Sequence, residues 1–97
     1  MSTCQAWYLY VVECADGTLY TGISTDVARR IVEHNAGRGA RYTAARRPVS
    51  LRAAWRFSDR LSAMQAEHLF KRRGRRAKER AIAAREGFRD GIWQARL

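Results

Sequence analysis

No lysine or arginine occurs in the first 28 residues, and no uninterrupted apolar run is longer than residues 6–12. The first absence leaves no basic n-region. The second falls far short of the roughly 20 apolar residues that a bilayer span needs, so neither a signal peptide nor a transmembrane helix is expected. The expected location is the cytoplasm. Cysteine is scarce as well: Cys4 and Cys14 are the only two, without C-x-x-C spacing and without a nearby histidine pair. That excludes the common zinc and redox patterns and leaves reduced thiols, with Cys14 partly packed. There is no internal repeat and no low-complexity linker.

What is present is one domain's worth of chain. A sequence of 97 residues buries only about 60–65% of its unfolded surface, enough for one modest core. Apolar residues make up 46%, with three Trp, four Tyr and three Phe, which argues against wholesale disorder. The expectation is a single domain over residues 1–97, its core at about 7–78 and a helical and tail extension at 79–97. Basic residues number 19 against 9 acids, for a net charge of +10. All of the positive charge begins at Arg29, whereas Glu13, Asp16 and Asp26 precede it. A field this uneven favours a polyanion and speeds encounter with it, without saying anything about fold. Every basic residue except Lys71 and Lys78 is arginine. Bidentate recognition of phosphate is one reason for that bias; a GC-rich genome that uses Arg in place of Lys is another.

Residues 7–13 are mostly β-branched or aromatic, Ala15-Asp16-Gly17 punctuates, and residues 18–24 resume, which reads as a β-hairpin. A two-residue Asp16-Gly17 turn would put Tyr10 and Tyr20 on opposite faces. A three-residue loop with Gly17 left-handed pairs Tyr10 with Gly22 and Val12 with Tyr20, so that both phenols share one face and Gly22 leaves room beside Tyr10. The second geometry is the one expected. Ser24-Thr25-Asp26 offers N-cap oxygens to a helix whose Val27, Ala28 and Ile31 form an apolar stripe ending at Asn35-Ala36-Gly37. Arg30 and His34 ride beside that stripe, facing inward or to a cleft edge. Residues 37–48 read as a basic loop, residues 49–57 as a third strand interrupted by Arg52 and Arg56, and Ser62 with Gln65 as a capping box for a helix that breaks at Gly74. A second helical stretch covers residues 75–85, and Phe88, Ile92 and Trp93 in the tail are able to pack back onto the body.

Taken in order, Tyr8-Leu9-Tyr10, Tyr20-Thr21-Gly22-Ile23, Arg30, His34 and Glu67 resemble the GIY-YIG nuclease superfamily. Glu33-His34-Asn35-Ala36-Gly37, Gly39-Ala40-Arg41-Tyr42-Thr43 and Arg46-Arg47-Pro48 narrow the likeness to small stand-alone bacterial (YhbQ-like) members and to the catalytic domain of the eukaryotic structure-specific junction endonuclease. The resemblance covers about residues 7–78. It implies an α+β fold, a three-stranded antiparallel sheet flanked by helices, that cuts DNA with a divalent cation, Mg2+ or Mn2+; because no groove-reading motif is present, the expected substrate is branched or irregular DNA, in DNA repair or recombination. Functional residues would fall on Tyr10, Tyr20, Arg30, His34 and Glu67. The chain departs from the pattern at Tyr8, where the name-giving glycine stands in the family, at Ile23, where a lysine is common, and in lacking a recognisable late asparagine.

The chemistry assigns each residue a slot. Glu67 alone suits magnesium, which keeps several waters and is often bound by one or two carboxylates plus substrate phosphate. Arg30 carries a forked set of donors for the non-bridging oxygens. A free phenol with pKa near 10 is about one part in a thousand ionised at pH 7, a handicap of roughly 4 kcal/mol, so a tyrosine base needs a helper. Tyr20 is expected to act as base or water-positioner, with Tyr10 as its hydrogen-bonding partner on the phosphate and His34 assisting proton movement. Phosphates flanking the cut would be held by Arg38, Arg41, Thr43, Arg46 and Arg47 and by Lys71, Arg72 and Arg73 in the basic segment 71–80, with Tyr42 stacking on an unpaired base. About six such contacts give a salt slope near about −5. Each residue alone also has a plainer use: tyrosines pack in hairpins, Arg30 pairs with a nearby acid, and Glu67 pairs with Lys71 one turn on. Two rival functions remain, a non-catalytic DNA- or RNA-binding module that kept the fold, and a basic scaffold subunit whose protein partner chooses the substrate.

Overall fold

The computed structural model describes residues 5–85 and the backbone of 87–89 and 92–94. Strand β1 (Trp7–Glu13) turns into β2 (Leu19–Ser24), followed by α1 (Val27–Asn35), a single-turn α2 (Arg41–Ala44), β3 (Ser50–Phe57), α3 (Arg60–Lys71), α4 (Arg75–Ala84) and a short hairpin of β4 (Gly87–Arg89) and β5 (Ile92–Gln94). The main sheet is antiparallel in the order β2-β1-β3. The fold is α+β, a three-stranded antiparallel sheet flanked by helices.

The hairpin takes the three-residue loop. Tyr10 pairs with Gly22 and Val12 with Tyr20, and Gly17 sits at φ +86°, a left-handed conformation that a side chain would strain. Cys14 N–H donates to Thr18 O at 2.8 Å and Gly17 N–H to Cys14 O at 2.9 Å, closing the turn. Because side chains alternate along a strand, β1 sends Leu9 and Val11 to one side and Tyr10 and Val12 to the other. Leu9 and Val11 pack with Ala66 and Phe70 of α3 and Ala81 of α4. Tyr10, Val12, Cys14 and Val49 form the opposite core, under Val27 and Ile31 of α1. Full burial of such an apolar side chain contributes about 1.5–3 kcal/mol, so each helix layer is held by a handful of residues.

Three expectations change. The basic loop contains α2, one helical turn whose Thr43 hydroxyl accepts from Ala40 N–H at 3.3 Å and donates to Ala40 O at 3.1 Å. The capping box at Ser62 is not used: Asp59 is the N-cap, its carboxylate accepting from Ser62 N–H at 2.8 Å, so α3 starts earlier than expected. Arg52 does not merely interrupt β3. The register slips there by one residue, and the bulged side chain reaches Glu13 at 2.8 Å and Glu79 at 2.7 Å, tying β1 and β3 to α4. Two expectations lie outside the described residues, the state of Cys4 and the packing of the Phe88, Ile92 and Trp93 side chains.

Candidate active site

α1 begins at Asp26, whose carboxylate accepts from Arg29 N–H at 3.0 Å, and ends with Gly37 at φ +84°. Its last turn is fastened to the residue just before β3 by Asn35, which donates to Val49 O at 3.1 Å and accepts from Val49 N–H at 2.7 Å. Arg30 and His34, one turn apart, are thereby held against the tyrosine face of the hairpin.

His34 is fully buried and uses both ring nitrogens: Nε2 lies 2.7 Å from the Tyr10 hydroxyl and Nδ1 2.7 Å from Thr43 Oγ1. The single Thr43 hydroxyl proton goes to Ala40 O, so Thr43 accepts from His34 Nδ1–H, and His34 Nε2 accepts from the Tyr10 O–H. Burial pushes the His34 pKa down, helped by the nearby Arg30 charge, and pushes the Tyr10 phenol up. The pair is therefore neutral imidazole and neutral phenol. The Arg30 guanidinium lies close enough to oppose the rise at Tyr10, while the Glu67 carboxylate adds to it. Arg30 also pairs with Glu33 at 3.1 Å.

Two glycines clear this space. A Cβ on Gly22 would stand 2.6 Å from the Tyr10 hydroxyl, and one on Gly39 would collide with the His34 ring. Tyr20 then packs edge-on against His34, ring centroids 5.3 Å apart, and Tyr42 of α2 lies nearly parallel to Tyr20 at 6.1 Å. Tyr20 and Tyr42, with Leu19, Thr21, Lys71 and Lys78, line an open cleft of about 260 Å³ at the β2 edge.

Tyr10, Tyr20 and Arg30, three of the five residues picked from the sequence, thus gather around the imidazole of the fourth, His34, while Glu67 stands on α3 and reaches the group through its charge, which acts on Tyr10. The arrangement departs from the expected roles in four ways. Tyr10 is 1% exposed and hydrogen-bonds His34 rather than Tyr20. Thr43 is 0% exposed and holds His34, so it has no surface for nucleic acid. Arg46 spends its donors on Asp16 at 3.1 Å and Tyr42 O at 3.0 Å, with its guanidinium 3.8 Å over the Tyr42 ring, covering one of the faces offered for a base. Arg47 donates to Ala44 O at 3.0 Å and Asn35 O at 3.5 Å, joining α1 to α2. Arg38, Arg41 and Arg72 are exposed, Arg73 is half-buried, and Lys71 pairs with Glu67 at 3.3 Å, the plainer use foreseen for that acid.

Lys78 was not singled out. It occurs within a run of cations, and only its place in the cleft sets it apart. Gly39 likewise carries no sequence signal of its own, since its use lies in the side chain it lacks. For a metal, no cluster of three or more His, Cys, Asp or Glu exists among the described residues. A half-buried single carboxylate, Glu67, still fits a hard cation that keeps waters and shares a phosphate ligand.

The chain matches the GIY-YIG catalytic domain family over residues 6–80. A UPF0213 protein of Streptococcus agalactiae serotype V is 56% identical over 71 residues, covering 73% of this chain and 81% of the relative. One of Natronomonas pharaonis is 51% identical over 80 residues, covering 82% and 94%. Among solved structures, the UPF0213 protein from Bacillus halodurans superposes with TM-score 0.54 at 45% identity, covering 80% of this chain and 83% of that one. A protein from E. faecalis gives 0.59 at 41% identity, covering 86% and 88%.

Proposed function

Because the chain belongs to the GIY-YIG catalytic domain family, we propose that it is a divalent-cation-dependent endonuclease that hydrolyses phosphodiester bonds in branched or irregular DNA. The observation that carries this reading is the convergence of Tyr10, Tyr20 and Arg30 around the buried His34 imidazole, with the charge of Glu67 acting on Tyr10 and a cleft opening beside Tyr20. The work divides between two tyrosines. Tyr10 and His34 are neutral and mutually hydrogen-bonded, which suits them to hold the site. Tyr20 faces the cleft, and its hydroxyl orients the attacking water and accepts its proton. Arg30 grips the non-bridging oxygens as charge grows on the phosphorus. Glu67 would hold Mg2+ or Mn2+, which supplies positive charge beside the phosphate. One water is consumed, one P–O ester bond breaks, and a phosphomonoester and a hydroxyl end are left. DNA repair or recombination is the setting such a substrate suggests.

The test is nicking of forked DNA in magnesium by the wild type, Tyr20→Phe and Glu67→Ala. Each variant is expected to lose at least about 100-fold, the lower end of general acid–base contributions, while still binding DNA. Cutting by both variants at the parental rate would remove Tyr20 and Glu67 from the site. Salt-sensitive binding with no cutting by the wild type in either cation would favour the binding-module reading, for which the Ile23 departure and the lack of a recognisable late asparagine are the motive.

A further inference from the structure

The chain's only two lysines, Lys71 at the end of α3 and Lys78 in the second turn of α4, line the same cleft beside Tyr20. Their surroundings differ. Lys71 has a partner in Glu67. Lys78 is half-buried, and among the described residues no carboxylate lies within ion-pair distance of it. Burial pushes its pKa down, and the nearby charges of Lys71 and Arg75, both positive, add to that. Arg75 offers no relief: it is pinned by Glu79 at 2.8 Å and by the Gly17 carbonyl at 2.6 Å. Nor does the start of α4, which has no acid in its first turn and no side-chain cap. A partly dehydrated cation among cations is unfavourable unless an anion joins it.

We propose that Lys78 is a phosphate-binding residue, taking from within the cleft a backbone phosphate that neighbours the one cut beside Tyr20. The inference rests on the nuclease reading above and adds to it a residue that supplies positive charge in the cleft that Tyr20 lines. Lys71, at the same cleft, reinforces the site while remaining in contact with Glu67. A compact ammonium suits a phosphate approached from a confined position, whereas the exposed arginines serve the open surface.

The experiment is binding of a labelled forked DNA in chelator, so that no cutting occurs, across 50–200 mM salt. The proteins compared are the wild type, Lys78→Gln, Lys78→Arg and Arg29→Gln, the last removing the same charge from the exposed face of α1, outside the cleft. Lys78→Gln is expected to weaken binding about 3- to 10-fold and to lower the salt slope by about one unit, the signature of one lost phosphate contact. Lys78→Arg keeps the slope, and Arg29→Gln changes it less. A melting midpoint for Lys78→Gln at or above the wild type separates this role from a structural one, because the substitution relieves repulsion. Equal losses in Lys78→Gln and Arg29→Gln would overturn the phosphate site and leave the nuclease reading standing. Failure of the wild type to bind DNA at all would overturn both.

Discussion

Two tyrosines that look equivalent along the chain differ in what their hydroxyls touch. The Tyr10 hydroxyl is buried and donates to His34, whose other nitrogen is committed to Thr43. Its removal leaves a buried imidazole acceptor unpaired, which costs about 1–3 kcal/mol. Among the described residues no hydrogen bond forms to the Tyr20 hydroxyl, so its removal leaves nothing unsatisfied. Tyr10→Phe is expected to lower the unfolding free energy in urea by about 1–3 kcal/mol, and Tyr20→Phe by less than about 0.5 kcal/mol, the range of substitutions away from such features. If the two variants melt alike, the division between a holding phenol and a reacting one is wrong. The same residues show what single letters hide. Thr43 is polar, sits in an arginine-rich stretch and reads as a phosphate contact, yet its one methyl and one hydroxyl are buried beneath α1, because the histidine nine residues earlier needs an oxygen there.

At the scale of elements, the hairpin was legible but its loop length was not fixed by the turn residues: Asp16-Gly17 suits a two-residue turn as well as a three-residue loop with Gly17 left-handed, and only the gathering of Tyr10 and Tyr20 on one face singled out the second. The extent of α1 was legible from its apolar stripe and its glycine stop. α2 was not: four residues cannot display a helical period, and the glycines around them read as loop. The start of α3 was ambiguous for a physical reason, since Asp59 and Ser62 are both good caps three residues apart and only packing chooses between them. Where Glu67 stands relative to Tyr10 depends on how α3 crosses the sheet, which no local pattern encodes. The clasp that holds α1 is Asn35, bonded to both backbone groups of Val49. Asn35→Ala removes two partly buried hydrogen bonds, each worth about 0.5–1.5 kcal/mol net, so a loss of about 1–3 kcal/mol is expected. Because the same helix carries Arg30 and His34, nicking should fall as well. Hydrogen exchange at the Val49 amide is the direct check: unchanged protection there would show that the clasp does not hold the helix.

Over the whole molecule, the positive charge divides into cations the fold uses and cations it leaves outward. Arg46, Arg47, Arg52 and Arg75 each bond to protein acids or carbonyls, so they contribute field without being free to follow a phosphate. On or next to the elements lining the cleft stand Arg30, Arg38, Arg41, Lys71, Arg72 and Lys78, of which Arg30 and Lys71 each hold one acid, Glu33 and Glu67, and keep further N–H donors for a phosphate. Each phosphate neutralised releases close to one counterion, so six such contacts give a slope of log affinity against log salt of about −5 and a loss of roughly a thousandfold between 50 and 200 mM. The number agrees with the crude count from the sequence, but the membership differs: Arg46, Arg47 and the half-buried Arg73 leave the set, while Arg30, assigned above to the cut phosphate, and Lys78 join it. The slope alone therefore does not distinguish the two sets, and substitution does. Arg47→Gln should leave the slope near its parental value while lowering stability through the lost link between α1 and α2. Arg41→Gln should do the reverse, reducing the slope by about one unit with little change in melting, as expected for an exposed side chain. Equal slopes for the two variants, measured on the same forked DNA in chelator, would mean that the protein-bonded arginines let go of their partners to meet the substrate, and the division of charge described here would fail.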